Sequence, residues 1–363
     1  MRVAVDVTPL AGPRSGVGHF TAELLDALAT HEPTIDVVPF VVSARAAGSR
    51  TARTPLPSKT RFVPLPAGLA HRLWAVADRP RFDGVLLHPD VVHGTNFVAP
   101  PTRAPRVISL HDLTFVQHPD WCRPEVRAMA PPVRRAVRAG AWVHTLTDAV
   151  AEQVRSLFDT DRVVTVHPAG ARLPAGDVHS PRVASVIDGP PYVLALGAAE
   201  VRKNLGAVVA LFAGSRDAQL RLVVAGPNGP ESARLAAAAA RTSTVVLVGY
   251  VTDEERAALL RHARALVHPA FDEGFGIPVV EAMEVGVPVV CTDTAVLREV
   301  AGDAARYVDA SWKDALDVVA AVAADGAERE QLVAAGFERA RRYTWKATAR
   351  GMAALYQRAA AAS

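Results

Sequence analysis

Apolar residues recur along this chain in two alternating periods, and the alternation predicts strands and helices in turn. Val-rich runs at Arg2–Val7, Ile35–Val42, Arg61–Leu65, Asp90–Val92 and Arg106–Leu110 predict strands, and WVHTLTDAVAEQV predicts a strand passing into a helix. Between them HFTAELLDALATH, Leu69–Val76 and Val133–Ala139 carry the spacing of amphipathic helices. Trp74 falls on the apolar face of the second, and Pro131 and Pro132 precede the third. After VVTV the pattern lapses through Ala169–Pro191, a stretch rich in Pro, Gly and Ser that reads as a linker. It resumes with strands at Tyr192–Leu196, Leu222–Ala225, Val245–Val248, Ala265–Val267 and Val287–Cys291, a helix at Asp253–Ala263 and a last helix in YTWKATARGMAALYQRAA. Strand and helix alternating through both halves predict an α/β chain of two doubly wound domains, bounded at 1–175 and 176–344, with a final helix over 345–363.

The stretch from Ala265 to Asp293, ALVHPAFDEGFGIPVVEAMEVGVPVVCTD, has the strongest grammar. A buried strand ends, Gly274, Gly276 and Pro278 turn the chain and open a helix, and Gly286 and Pro288 stop it. Such a corner aims backbone N–H groups and the positive end of a helix dipole into one crevice, which favours a phosphate. Two carboxylates, Glu273 and Glu281, flank it. They would repel a phosphate and suit hydroxyl donors, which a sugar supplies on either side of a diphosphate. The plainer alternative makes Glu281 a first-turn complement to the dipole and Glu273 a solvated loop residue.

Other strand exits carry chemistry too. A glycine loop around Gly16 and Gly18 leads into the first helix, but Thr21 stands where a dinucleotide fingerprint needs its third glycine. In GAAEVRKNL, Arg202 and Lys203 lie beside a helix start, where adjacent cations oppose the dipole unless an anion lies between them. His111 and Asp112 end the Arg106–Leu110 strand on the side where open parallel sheets bind ligands. Alone, that pair is more often structural, with the Asp capping a turn. Asp159, Thr160 and Asp161 form a DxD that sits where a helix-to-strand turn is expected, so no metal site is assigned to it.

At 363 residues and 50% hydrophobic the chain can bury a large core. A net charge of +3 without a dense basic run excludes a nucleic-acid binder but leaves a basis for peripheral association with anionic membrane. Cys122 and Cys291 are far apart, which fits a reducing cytoplasm. The apolar run before Pro9 is too short for a signal peptide, and no stretch of about 18 apolar residues suggests a membrane span.

HPAFDEGFGIPVVEAM, with seven residues enclosed by Glu273 and Glu281, resembles the donor-site signature of the retaining GT-B glycosyltransferases of family GT4. The resemblance runs through SGVGHFTAELLDAL, RVISLHDLTFVQHPDW and LREVAGDAARYVDA, and Gly197, Glu200, Arg202, Lys203 and Asn204 match the family's G-x-x-E-x-R-K-N string. Ala198 stands where some members place an Arg. The resemblance implies a GT-B fold: two Rossmann-like domains facing across a cleft, the first binding acceptor, the second a nucleotide diphosphate sugar, with the last helix crossing back onto the first. It implies catalytic roles for His111, Lys203 and Glu273, and acceptor contacts from His111 and Asp112. Donor contacts would come from Gly16 and Gly18, from Arg202 and Lys203, and from Gly226 and Tyr250 beside the base. Glu273, Gly274, Phe275 and Gly276 would hold the donor sugar, and Glu281 the ribose. Neither metal nor cofactor is implied. The pattern is most similar to the mannosyltransferase branch, with GDP-mannose as donor and a glycan or glycolipid as acceptor. A GT-B epimerase or phosphorylase is an alternative, as is an inactive nucleotide-sugar-binding subunit, which Ala198 would suit.

Overall fold

The computed structural model describes residues 1–12, 16–43, 56–174, 180–215 and 220–362. They form two compact units, Met1–Pro168 together with Thr344–Ser363, and Ala169–Tyr343. The first holds seven strands: β1 (Arg2–Asp6), β2 (Asp36–Val42), β3 (Arg61–Val63), β4 (Val91–Gly94), β5 (Arg106–Leu110), β6 (Trp142–Thr145) and β7 (Val163–Thr165). The second holds six: β8 (Tyr192–Leu196), β9 (Arg221–Ala225), β10 (Val245–Gly249), β11 (Ala265–His268), β12 (Val289–Thr292) and β13 (Ala305–Val308).

Every pairing is parallel, and the orders are β3-β2-β1-β4-β5-β6-β7 and β10-β9-β8-β11-β12-β13. Both are doubly wound, with the direction of winding reversing between β1 and β4 and between β8 and β11. Consecutive residues such as Val3, Ala4 and Val5, or Val193, Leu194 and Ala195, are fully buried. Successive side chains point to opposite faces, so each sheet is covered on both sides, which explains strands that read as unbroken apolar runs.

Several expectations shift. The first helix spans Gly16–His31, so Gly16 and Gly18 lie in its first turn rather than in a loop, while residues 13–15 of that loop lie outside the described residues. Pro131 and Pro132 lie inside the Ala130–Arg138 helix, where a missing N–H costs nothing. The expected linker contains a helix, Pro181–Ile187, started by its proline, and belongs to the second unit from Ala169 onward. The expected boundary between 175 and 176 lies outside the described residues. Strand β13 was not read from the sequence.

The last helix, Trp345–Ala361, is part of the first unit and packs on the Gly16–His31 helix. A hydrogen-bond chain through the core fastens it there. His144 Nε2 lies 3.1 Å from the Val166 carbonyl, Ser109 Oγ lies 2.8 Å from His144 Nδ1 and 2.8 Å from His93 Nε2, and the Tyr356 hydroxyl lies 2.8 Å from His93 Nδ1. The carbonyl can only accept, which fixes the direction throughout: His144 donates to it, Ser109 donates to His144, His93 to Ser109, and Tyr356 to His93. All four side chains are buried and both imidazoles are neutral. Burial pushes His144 down to about 3 against the Val166 bond, and burial with the neighbouring His144 and His111 holds His93 well below its ordinary value.

Tyr356→Phe leaves the buried His93 Nδ1 without a donor, a loss of about 1–3 kcal/mol. Calorimetry should show the unfolding temperature fall by roughly 2–4 °C per kcal/mol lost, and an unchanged value would mean that the chain of bonds does not hold the helix. Acid should act on the same unit. Groups with depressed pKa values contribute full stability above 6.5 and lose it as pH falls toward their folded values, about 3 for His144. Burial likewise lowers His111. Asp6, which burial raises from 3.8 to about 6, works in the opposite sense and is outnumbered by the three imidazoles. Denaturant titrations followed by amide exchange within the first unit should therefore show its stability falling on acidification below 6.5, with a flat profile counting against neutral imidazoles.

Candidate functional site

The winding reversal of the second sheet puts β8 beside β11, with Ala265 opposite Val193 and Leu266 opposite Leu194. Both strands therefore end together, and the loops that follow them meet. After β8 the chain passes Gly197 and makes a 3₁₀ turn at Val201–Lys203 before the Leu205–Ala213 helix. After β11 it passes Glu273 and turns at Gly276, whose φ of 90° favours glycine, into the Ile277–Glu284 helix with Pro278 in its first turn. The Phe271 N–H donates to the Arg202 carbonyl at 2.8 Å and ties the loops together. Gly226, ending β9, is as close-set: a Cβ there would lie 2.0 Å from the Gly197 carbonyl oxygen.

Glu273 is the centre of this meeting. Its Oε1 contacts Lys203 Nζ and accepts from His268 Nε2 at 3.0 Å, while Arg202 lies 3.7 Å from Oε2. Arg202 also reaches Glu200 at 3.1 Å. Burial alone would raise the Glu273 pKa, but Lys203, the bond and charge of His268, and Arg202 together hold it well below the usual carboxylate range. Burial lowers Lys203, and the Glu273 charge opposes that shift. The two cations singled out in the sequence do have an anion between them, supplied by the protein.

Glu281 is placed differently. It is fully buried on the Ile277–Glu284 helix, in ion-pair contact with Arg256. Neither oxygen makes a well-formed hydrogen bond among the described residues. Burial outweighs Arg256 and the nearby Ala171 backbone, so its pKa is raised. One turn on, Glu284 is pushed up to about 7 by burial and by the Glu281 charge. Phe275 turns its ring inward, edge-on to Tyr343 at 5.1 Å, so only its backbone stays at the corner beside Gly274. Tyr250 is 56% exposed, and its carbonyl accepts from Arg182 at 2.9 Å.

In the first unit His111 is nine-tenths buried, donates from Nε2 to the Thr95 carbonyl at 2.7 Å and stands edge-on to Phe20 at 5.2 Å. Burial lowers its pKa against the Thr95 bond and Asp112, which leaves a neutral ring with Nδ1 as an acceptor. Asp112 accepts from the Thr114 N–H at 3.1 Å, the turn-capping alternative. Asp159 closes the Asp148–Phe158 helix in a left-handed conformation, as a turn residue does.

Three partners were missed in the sequence. His268 was visible as a polar residue ending the apolar run ALVH, a signal that its side chain faces the ligand end of a strand. Arg256 and Arg182 gave no signal, because their partners are distant in the chain.

The family model for "Glycosyl transferases group 1" matches residues 180–339. O-antigen chain mannosyltransferase B of Escherichia coli is 27% identical over 95% of this chain and 97% of its own length. D-inositol 3-phosphate glycosyltransferase of a Nocardioides species is 31% identical over 76% of this chain and 68% of its own. Among solved structures, sucrose-phosphate synthase of Thermosynechococcus elongatus superposes with a TM-score of 0.77 over the full length of both chains at 19% identity, a likeness of fold. The chain therefore belongs to the group 1 glycosyltransferase family, of GT4 type, and is a GT-B-fold enzyme that transfers a sugar.

Proposed function

We propose that the enzyme moves mannose from GDP-mannose to a glycan or glycolipid acceptor in the cytoplasm, with retention of configuration and without a metal ion. The observation that carries the reading is the Lys203, Arg202, His268 and Glu273 cluster where β8 and β11 end. The mannosyl choice is supported by the mannosyltransferase of E. coli, similar along nearly all of this chain.

As the bond to the anomeric carbon breaks, negative charge grows on the leaving diphosphate, and fixed cations and a helix N-terminus stabilise that charge more than they stabilise the bound donor. Lys203, Arg202 and the start of the Ile277–Glu284 helix take this role. A diphosphate oxygen replacing Glu273 at Lys203 leaves Glu273 held by His268 and Arg202, with lone pairs for the hydroxyls of the sugar. Backbone groups of Gly274, Phe275 and Gly276 complete that contact. Glu281, a buried acceptor held by Arg256, takes the ribose hydroxyls in exchange for that arginine. Gly226 and Tyr250 border the base. On the first unit, Gly16 and Gly18 open a helix toward phosphate, while His111 Nδ1 accepts from a sugar hydroxyl and Asp112 sets the loop that carries it. The leaving phosphate removes the acceptor proton, so no protein nucleophile is required.

Lys203→Ala should lower the rate of mannosyl transfer by roughly 100-fold or more, the scale for one preorganised charge-stabilising group. His111→Ala should also slow transfer but leave affinity for GDP unchanged. Rapid-quench rates and calorimetric titration of both variants check this. A near wild-type rate for the first, or lost GDP affinity for the second, would overturn the assignment. Transfer should also persist in EDTA. Loss on chelation with recovery on adding magnesium or manganese would instead give the diphosphate a metal partner.

A further inference from the structure

The basic excess of this chain is not spread evenly. Segments 64–83 and 123–139 hold eight arginines against Asp78, Asp83 and Glu125, a formal +5 (eight minus three), whereas the whole chain carries +3. The helices within them, Ala67–Val76 and Ala130–Arg138, pack side by side in the first unit. Between them opens a cleft of about 460 Å³ whose lining includes Pro131, Arg134, Arg135 and Arg138.

The carboxylates do not neutralise this face. Asp78 is shared between Arg106 at 2.8 Å and Arg135 at 3.1 Å. Arg134 lies over the Phe158 ring and donates to the Leu157 carbonyl, contacts that leave its charge in place. Arg72 and Arg138 are exposed, and among the described residues neither pairs with a carboxylate. Beside them the Ala67–Val76 helix shows Leu69, 47% exposed, and Val76, 72% exposed. With Arg72 these fall at i, i+3 and i+7, one stripe of the helix.

We infer that this two-helix face docks on an anionic phospholipid bilayer, Leu69 and Val76 entering the boundary between headgroups and acyl chains while Arg72, Arg134 and Arg138 meet lipid phosphates. Charge complementarity selects an anionic partner, and the aliphatic stripe selects a bilayer over a dissolved polyanion, from which Leu and Val gain nothing. Nucleic acid is disfavoured because Trp74, the largest aromatic ring of the Ala67–Val76 helix, is buried and cannot stack on a base. None of this depends on the sugar or acceptor assigned above.

The test is co-sedimentation of the full chain with vesicles of phosphatidylcholine, alone or mixed with phosphatidylglycerol, at low and high salt. Binding should require phosphatidylglycerol and weaken with salt. Arg72→Gln/Arg138→Gln should lower the partition coefficient by about fivefold per arginine, and Leu69→Gln/Val76→Gln should lower it as well. All four positions are exposed and outside the transfer machinery, so transfer to a soluble acceptor should be unchanged in both variants, which separates this inference from the sugar-transfer reading. Equal binding to neutral vesicles would overturn it, as would wild-type partitioning by either double variant. Full displacement by inorganic phosphate at constant ionic strength would do so too, since the cleft would then be a site for a soluble anion.

Discussion

A carboxylate taken out of water costs several kcal/mol unless its countercharges come with it. Glu273 imposes that condition on the second unit. It sits after β11, while its two cationic partners, Arg202 and Lys203, come from the loop after β8. Those loops are neighbours only because the winding reverses between the two strands. The close approach of Gly226 to Gly197, the left-handed turn at Gly276 and the Phe271 to Arg202 backbone bond all bring the same strand ends into register. A charge cluster of this kind is also preorganised, since each group is oriented before any reaction begins.

The first unit meets the opposite demand. Three imidazoles, His93, His111 and His144, lie close together, with His111 and His144 lowering the pKa of His93 and His111 that of His144, and the fold keeps all three uncharged by burying them and giving each a defined partner. Phe20 stacks on His144 and stands edge-on to His111, so apolar contact and hydrogen bonding set the ring of His111 jointly.

Much of this was legible in one dimension because parallel sheets write themselves as apolar runs. Arg106–Leu110 and Tyr192–Leu196 were read at the bounds they have in the structure. The glycine and proline grammar around Gly274, Gly276 and Pro278 located the corner of the candidate site, and Glu273 and Lys203 were both singled out. Their mutual contact was not legible, since it depends on which strands adjoin. The same reason hid Arg256 behind Glu281. Strand β13 escaped because Ala305–Val308 is flanked by Gly302 and Asp303 and is buried only in part, leaving no apolar run. The Pro181–Ile187 helix was masked by composition: a proline that opens a helix and one that marks a linker look alike in sequence.

The hydrogen-bond chain that ends at Tyr356 also sets an order of events during synthesis. Met1–Pro168 lacks its closing helix until Thr344 and the residues after it have been made, and all of Ala169–Tyr343 is translated in between. At an elongation rate of about 5–20 residues per second that interval is about 10–35 s, long against the folding of a single domain. The inserted unit is contiguous and can fold as it emerges from the ribosome. The amino-terminal unit, although made first, must wait with the buried acceptor of His93 uncapped and finishes second, which makes it the part of the nascent chain most in need of a chaperone.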